Sequence, residues 1–299
     1  MAYNKDIAAV LVGINKYPRP YPALRGCVND IVIAKKMLVE TYKADPVNIQ
    51  MLADERATKL AFEERLEWLL EQPNPKKLFW YSGHGAQVPN APYDHVTDYE
   101  KDGMDEVLCP VNFAWDRDHY VSDDYLSTVI KRVGKQHKLT MVLDCCHSGT
   151  IDRSLAMEVS GTPRYIPTPL DLRSRISTYD VVERGDITER KTPKWFWKKR
   201  LFLNKIKVRS KPLNDNVFVL TACREDETAA DAFFRENDKG EGRYQGAFSF
   251  FMQYVLLQQP DISYARLMKR TFRLLRRYQY PQTVQYIGPK HANRIHFMD

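Results

Sequence analysis

Two short stretches carry side chains whose types and order suit covalent chemistry. MVLDCCHSGT, residues 141–150, runs from apolar residues into Asp144, the adjacent Cys145 and Cys146, His147 and a small-residue turn. WYSGHG, residues 80–85, sets His84 between two glycines, which let the backbone turn sharply and a substrate approach closely. A thiol becomes a nucleophile as its thiolate, and a nearby imidazole stabilises that form. Backbone N–H groups at the turn, from Gly85 and from the cysteine itself, are placed to stabilise an oxyanion. On residue types alone, either cysteine can be the nucleophile, and a purely structural cluster is the plainer alternative. Zinc fits poorly. Its sites use spaced ligands such as C-x2-C, whereas Cys145, Cys146 and His147 are contiguous and no second pair occurs elsewhere.

The elements that must position these residues are legible from apolar patterning. IAAVLVGI at 7–14 is a β-rich run suited to a buried parallel strand. NIQMLA at 48–53, KLFWYSG at 77–83, KLTMVLD at 138–144 and NVFVLTA at 216–222 read as further strands, with a short last one at 283–287. Helical spacing covers 31–42, with Asn29 and Asp30 as start signals, and 58–71, opened by a Thr cap. It returns at 123–133, 247–259 and 263–280. Alternating strands and helices predict an α/β fold with a mostly parallel central sheet and helices on both faces. Sites in such sheets form at the carboxyl ends of the strands, so His84 and the cysteine pair share one rim.

Composition fits a globular chain with a sizeable core: 299 residues, 43% hydrophobic and 28% charged. No apolar run has the length of a membrane span, and the N-terminal run lacks a basic region and cleavage site, so no membrane association is expected. Five cysteines, an odd number without framework spacing, point to a reducing, cytoplasmic setting. The formal charge is +7, but residues 190–211 (RKTPKWFWKKRLFLNKIKVRSK) hold ten Lys and Arg and no Asp or Glu, so the remainder carries −3. The basicity is therefore local, and no nucleic-acid partner is expected; a loop that meets an acidic surface is the alternative use of this segment. The Pro-, Arg- and Lys-rich stretch over 154–214 divides a large region, 1–153, from a small one, 215–299.

YSGHG followed by D-x-C-H-S-G resembles the metacaspase branch of the caspase-like cysteine peptidases, including the bacterial orthocaspases. LRGCVND, DGMDEVLCPV, TACREDETAAD and GAFSFF extend the likeness over nearly the whole chain. The resemblance implies a caspase-like α/β/α sandwich in one domain. It makes Cys146 the nucleophile and His84 its base, leaving Cys145 a small buried neighbour and His147 structural. The animal-caspase signature Q-A-C-[RQG]-G is absent, so aspartate specificity is not implied.

Specificity has a separate physical basis. Asp144 and Asp30 lie on the catalytic rim, and unpaired carboxylates beside a cysteine would raise its pKa. They make sense if a substrate cation completes the site, although a helix cap also accounts for Asp30 alone. The resemblance assigns both, with Cys27 and Ser82, to the pocket for the residue before the scissile bond. Arginine suits that pocket through its fixed fork, and lysine less so.

The expected partners are therefore proteins or peptides cut after Arg or Lys, by a chain expected to be monomeric. A pseudoprotease scaffold without turnover is the alternative. Self-cleavage is expected within 190–211 and near Arg153. Asp105, Asp123, Asp124 and Asp152 recur after the third and fourth strands, and carboxylate oxygens suit calcium. The resemblance points to these four as ligands of an activating Ca2+, while a simple helix cap around Ser122 is the plainer reading of SDD.

Overall fold

The computed structural model describes residues 3–89, 104–146, 161–169, 172, 214–224, 227–235, 240–289 and 294–298. Arg153, Asp152, His147 and residues 190–211 lie outside them.

The core is a sheet of β1 (Ile7–Gly13), β2 (Ile49–Ala53), β3 (Lys76–Ser82), β7 (Lys138–Asp144), β9 (Val217–Thr221) and β12 (Gln285–Ile287), in the order β12-β9-β7-β3-β1-β2. Every pairing is parallel except β12 with β9. Such strands are covered on both faces, which explains their nearly unbroken apolar sequences. Ile7, Ala9 and Leu11 of β1 face one apolar cluster, while Ala8, Val10 and Val12 face the other.

The first cluster takes Ile31, Ala34 and Leu38 of α1 (Cys27–Glu40), with Phe248, Phe251 and Met252 of α4 (Ala247–Gln258) and Leu267 and Leu275 of α5 (Tyr264–Arg277). The second takes Phe62, Leu66 and Leu69 of α2 (Lys59–Glu71) and Leu126 of α3 (Asp123–Lys131). The fold is thus α/β, with helices on both faces of a mostly parallel sheet. Among the described residues, no helix is long and apolar enough to cross a membrane.

Two three-stranded layers were not visible in the apolar pattern. One joins β4 (Gly85–Pro89), β5 (Met104–Leu108) and β6 (Val121–Ser122); the other joins β8 (Thr162–Pro163), β10 (Ala230–Arg235) and β11 (Gly242–Gly246). Their strands are short, and β4 and β8 end in proline, so neither period nor β-propensity marks them. α1 also begins at Cys27, four residues before the expected 31, which puts Asp30 inside its first turn.

The end of α2 is held by a lysine from the sheet. Lys77, 1% exposed, donates from Nζ to the Leu69 carbonyl at 2.6 Å, to that of Leu70 at 3.0 Å, and to that of Gln72. A cation at a helix C-terminus satisfies orphan carbonyls and opposes the dipole. Lys77→Met keeps the aliphatic stem but leaves those acceptors without a donor. It should cost about 1–3 kcal/mol of unfolding free energy, read by denaturant titration.

Candidate active site

The ends of β1, β3 and β7 lie side by side, with Gly13 opposite Ser82 and Ser82 opposite Asp144. The strand order reverses around β1, and the resulting crevice receives His84, Asp144 and Cys146. His84 and Cys146 are both 0% exposed.

His84 Nε2 meets the Pro22 carbonyl at 2.8 Å. A carbonyl only accepts, so Nε2 carries the hydrogen and Nδ1 presents its lone pair. Nδ1 is buried and has no hydrogen-bond partner among the described residues. Burial, reinforced by the Arg164 guanidinium, pushes the imidazole down to about 4, so the ring is neutral at neutral pH with Nδ1 free to accept a proton. The backbone of this turn is fixed by two tyrosines: Tyr17 Oη accepts from His84 N at 2.9 Å, and Tyr81 Oη donates to the His84 carbonyl at 2.6 Å.

Cys146 projects toward the first apolar cluster and Cys145 toward the second. Cys146 Sγ accepts from the Ala229 amide and lies 3.7 Å from the Ala229 carbonyl. The Cys223 thiol donates to the Cys145 carbonyl at 3.4 Å and is held well above its usual range, first by the neighbouring Cys146 and then by burial. Cys145 is buried, and desolvation raises its thiol as well. No hydrogen bond joins Cys146 to His84 among the described residues; the sulfur is turned to Ala229 instead.

Beside His84 and Cys146 lies a buried ionic cluster. The side chain of Arg164 is completely enclosed. Its Nη2 is 2.7 Å from Asp30 Oδ2 and 2.9 Å from Asp231 Oδ1, and its Nη1 is 3.1 Å from Asp144 Oδ2. The carboxylates are themselves seated on backbone amides. Gly246 N bonds to Asp30 at 3.1 Å, Ser249 N to Asp144 at 3.0 Å, and Arg25 N and Gly26 N to Asp231 at 2.7 and 3.0 Å. Ser249 belongs to the first turn of α4 and Gly246 is its N-cap, so the positive end of that helix faces two of the acids. A Cβ on Gly246 would fall onto Asp144 Oδ2 and the Arg164 guanidinium, so only glycine closes this wall. Burial, with Asp144 and Asp231 nearby, raises the Asp30 carboxyl to about 7 against the lowering pull of Arg164. Asp30 is therefore no helix cap; its carboxylate faces the cluster.

The structure brings together all the residues expected at the pocket. Cys27 sits within electrostatic reach of Arg164 and the three acids, its thiol raised chiefly by burial. Ser82 is buried opposite Asp144, its Oγ without a hydrogen-bond partner among the described residues. Sequence reasoning missed Asp231, Gln245, Pro22 and Arg164. Asp231 had a signal, as the acidic end of TACREDETAAD. Gln245 Nε2, 3.3 Å from Asp30 Oδ1, and the Pro22 carbonyl had none.

The main chain around Arg164 is as ordered as its side chain. The Arg164 carbonyl oxygen accepts from Gly85 N at 3.1 Å and Cys146 N at 3.2 Å, and Arg164 N donates to Ala229 O at 3.1 Å. Thr162 and Pro163 pair antiparallel with Asp231 and Ala230, and Ile166 N donates to Gly85 O at 2.9 Å. The two amides expected from sequence as oxyanion donors thus converge on one carbonyl.

The four aspartates considered for calcium are only partly described. Ser122 Oγ caps α3 by accepting from Tyr125 N at 3.2 Å, with Asp123 and Asp124 in the first turn. Burial first, then Glu106, Asp124 and Asp105, raises the Asp123 carboxyl to about 7. This crowding of oxygen donors is chemically suited to a hard cation. Among the described residues, however, no three His, Cys, Asp or Glu side chains converge as ligands, and Asp152 lies outside them.

Residues 8–153 match the family model described as metacaspase, peptidase C14 domain. Metacaspase-1B of Aspergillus terreus is 28% identical over 277 residues, covering 87% of this chain and 69% of its own length. Metacaspase-1 of Scheffersomyces stipitis is 29% identical over 291 residues, covering 92% of this chain and 69% of its own. Among solved structures, protein GSU0716 from Geobacter sulfurreducens superposes with a TM-score of 0.62 at 19% identity, covering 97% of this chain and 96% of its own. Caspase-1 from Spodoptera frugiperda gives 0.52 at 9% identity, covering 96% and 88%. These two likenesses speak for the caspase-like fold alone. Fold, family match and relatives agree: residues 8–153 match the metacaspase peptidase C14 domain, and the chain is a caspase-like cysteine-type peptidase similar to the metacaspases.

Proposed function

We propose that the chain is an endopeptidase that cleaves after Arg, and less readily after Lys, with Cys146 as nucleophile and His84 as base. The observation that supports this most is the set of three buried acids, Asp30, Asp144 and Asp231, gripping one guanidinium beside Cys146 and His84. A planar guanidinium spans several carboxylates in one geometry, while an ammonium is a point charge that cannot.

In this reading His84 Nδ1 takes the Cys146 thiol proton once Sγ rotates away from Ala229. The thiolate attacks the substrate carbonyl carbon, and Gly85 N and Cys146 N stabilise the oxyanion. The profile of cleavage across peptides that differ only in the residue before the scissile bond tests this. Arg should lead and Lys follow. Efficient cleavage after Asp or Leu would sink it.

We further propose that Ca2+ activates the enzyme through Asp105, Asp123, Asp124 and Asp152. The crowded acids around the start of α3 support this. Bound calcium would neutralise their repulsion and order the neighbouring loops. Millimolar calcium should raise the unfolding midpoint of the protein, and chelator should suppress peptide cleavage. The double change Asp123→Ala, Asp124→Ala should remove both responses. Full cleavage in chelator, with an unchanged midpoint, would exclude this activation and leave the dyad assignment standing.

A further inference from the structure

Resting on the Arg-directed reading above, we propose that residues 161–166 are the enzyme's own substrate, bound in cis, and that the scissile bond is Arg164–Tyr165. The expected self-cleavage positions were 190–211 and Arg153. The described geometry singles out a different bond.

Five features coincide at this segment. The Arg164 side chain fills the anionic pocket completely. Its carbonyl oxygen takes both amides that would hold an oxyanion, Gly85 N and Cys146 N. Its amide donates to Ala229 O. The residues before it, Thr162 and Pro163, add a strand to β10, the way an extended peptide docks on a sheet edge. The residues after it continue past the nucleophile, with Tyr165 bridged to Gly85. A structural arginine needs its guanidinium paired. It has no need of its carbonyl in the two-amide site beside a buried cysteine and a neutral histidine. Together these contacts fix one particular peptide bond at the nucleophile.

The reaction balances with water as the only added reactant. His84 Nδ1 accepts the Cys146 proton as Sγ bonds to the Arg164 carbonyl carbon. The carbon–nitrogen bond to Tyr165 then breaks, its electron pair stays on nitrogen, and His84 returns the proton there. Water next attacks the thioester, the carbon–sulfur bond breaks, and Arg164 ends as a carboxylate with the Cys146 thiol restored. In the structure Sγ is still turned to Ala229, so the bond is presented before attack. Until Arg164 leaves, no external arginine can enter the pocket.

The full chain, followed by intact mass and N-terminal sequencing with a small Arg peptide assayed in parallel, tests this. The expected result is a new N-terminus at Tyr165 whose appearance precedes full activity on the peptide. Its half-time should not change on about tenfold dilution, because the reacting groups belong to one molecule. Cys146→Ala should remain a single chain. Arg164→Lys, which keeps the charge but loses the fork, should slow the cut about tenfold or more. The native time course needs no variant to fold. Active enzyme that stays uncut at Tyr165, or is cut only elsewhere, overturns the proposal and leaves the Arg-directed reading intact; so does a half-time that lengthens in proportion to dilution. Loss of both the self-cut and Arg-peptide cleavage overturns that reading as well.

Discussion

Cys146→Ala should reduce hydrolysis of a small Arg peptide to background, a loss of at least ~10⁴-fold in kcat/KM, while Cys145→Ala retains most of the activity. The two thiols are adjacent in sequence but project to opposite faces of the sheet end. Cys146 joins the cluster that includes Ala229 and Phe248, and Cys145 the one that includes Tyr81 and Met141. The amide of Cys146 already points at the carbonyl oxygen seated in the site, while its sulfur is turned to Ala229. The sulfur of Cys145 is buried on the far side, its thiol disfavoured as thiolate by desolvation. A reversed pair of phenotypes would shift the motif register by one residue. Far-UV and thermal comparison of the two variants separates lost chemistry from lost folding.

Asp30→Asn and Asp144→Asn should each lower kcat/KM for Arg peptides by about 10²–10³-fold, equivalent to roughly 3–4 kcal/mol. Each change preserves shape and replaces a carboxyl group of the fully buried grip on the guanidinium with an amide that cannot ionise. The loss should fall mainly on substrates with a cation before the scissile bond. A uniform fall on all peptides would mean that the acids shape the fold and do not select the substrate. Asp30 also receives Gly246 N, Gln245 Nε2 and the Arg164 guanidinium, so its variant should be the less stable of the two.

The sheet and the five long helices were legible because each carries a continuous apolar face of the right period. That His84 and the cysteine pair share a rim was legible because they end neighbouring parallel strands; the choice of Cys146 over Cys145 came from the family resemblance alone. The small strands were not: β8 has two residues, and its pairing with β10 comes from chain folding across a long sequence interval. The start of α1 was misplaced because Cys27 and Val28 carry no capping side chain before them; Gly26 at the N-cap gives no side-chain bond. Two carboxylates on one rim pointed to a cation between them. That Arg164 supplies it could not be seen, because one arginine among the chain's 45 basic residues has no sequence mark of its own.

β9 lies between β7 and β12, hydrogen-bonded in register along Leu139–Leu143. The residues on either side of any break between β7 and β9 therefore belong to one uninterrupted hydrogen-bonded ladder. Phe218 of β9 stacks on Tyr264 at 4.2 Å, inside the same apolar cluster as Leu11 and Trp80. A nicked molecule would run as two bands on a denaturing gel, yet elute as one particle and melt in one transition. The two pieces would behave as halves of a split protein that never part.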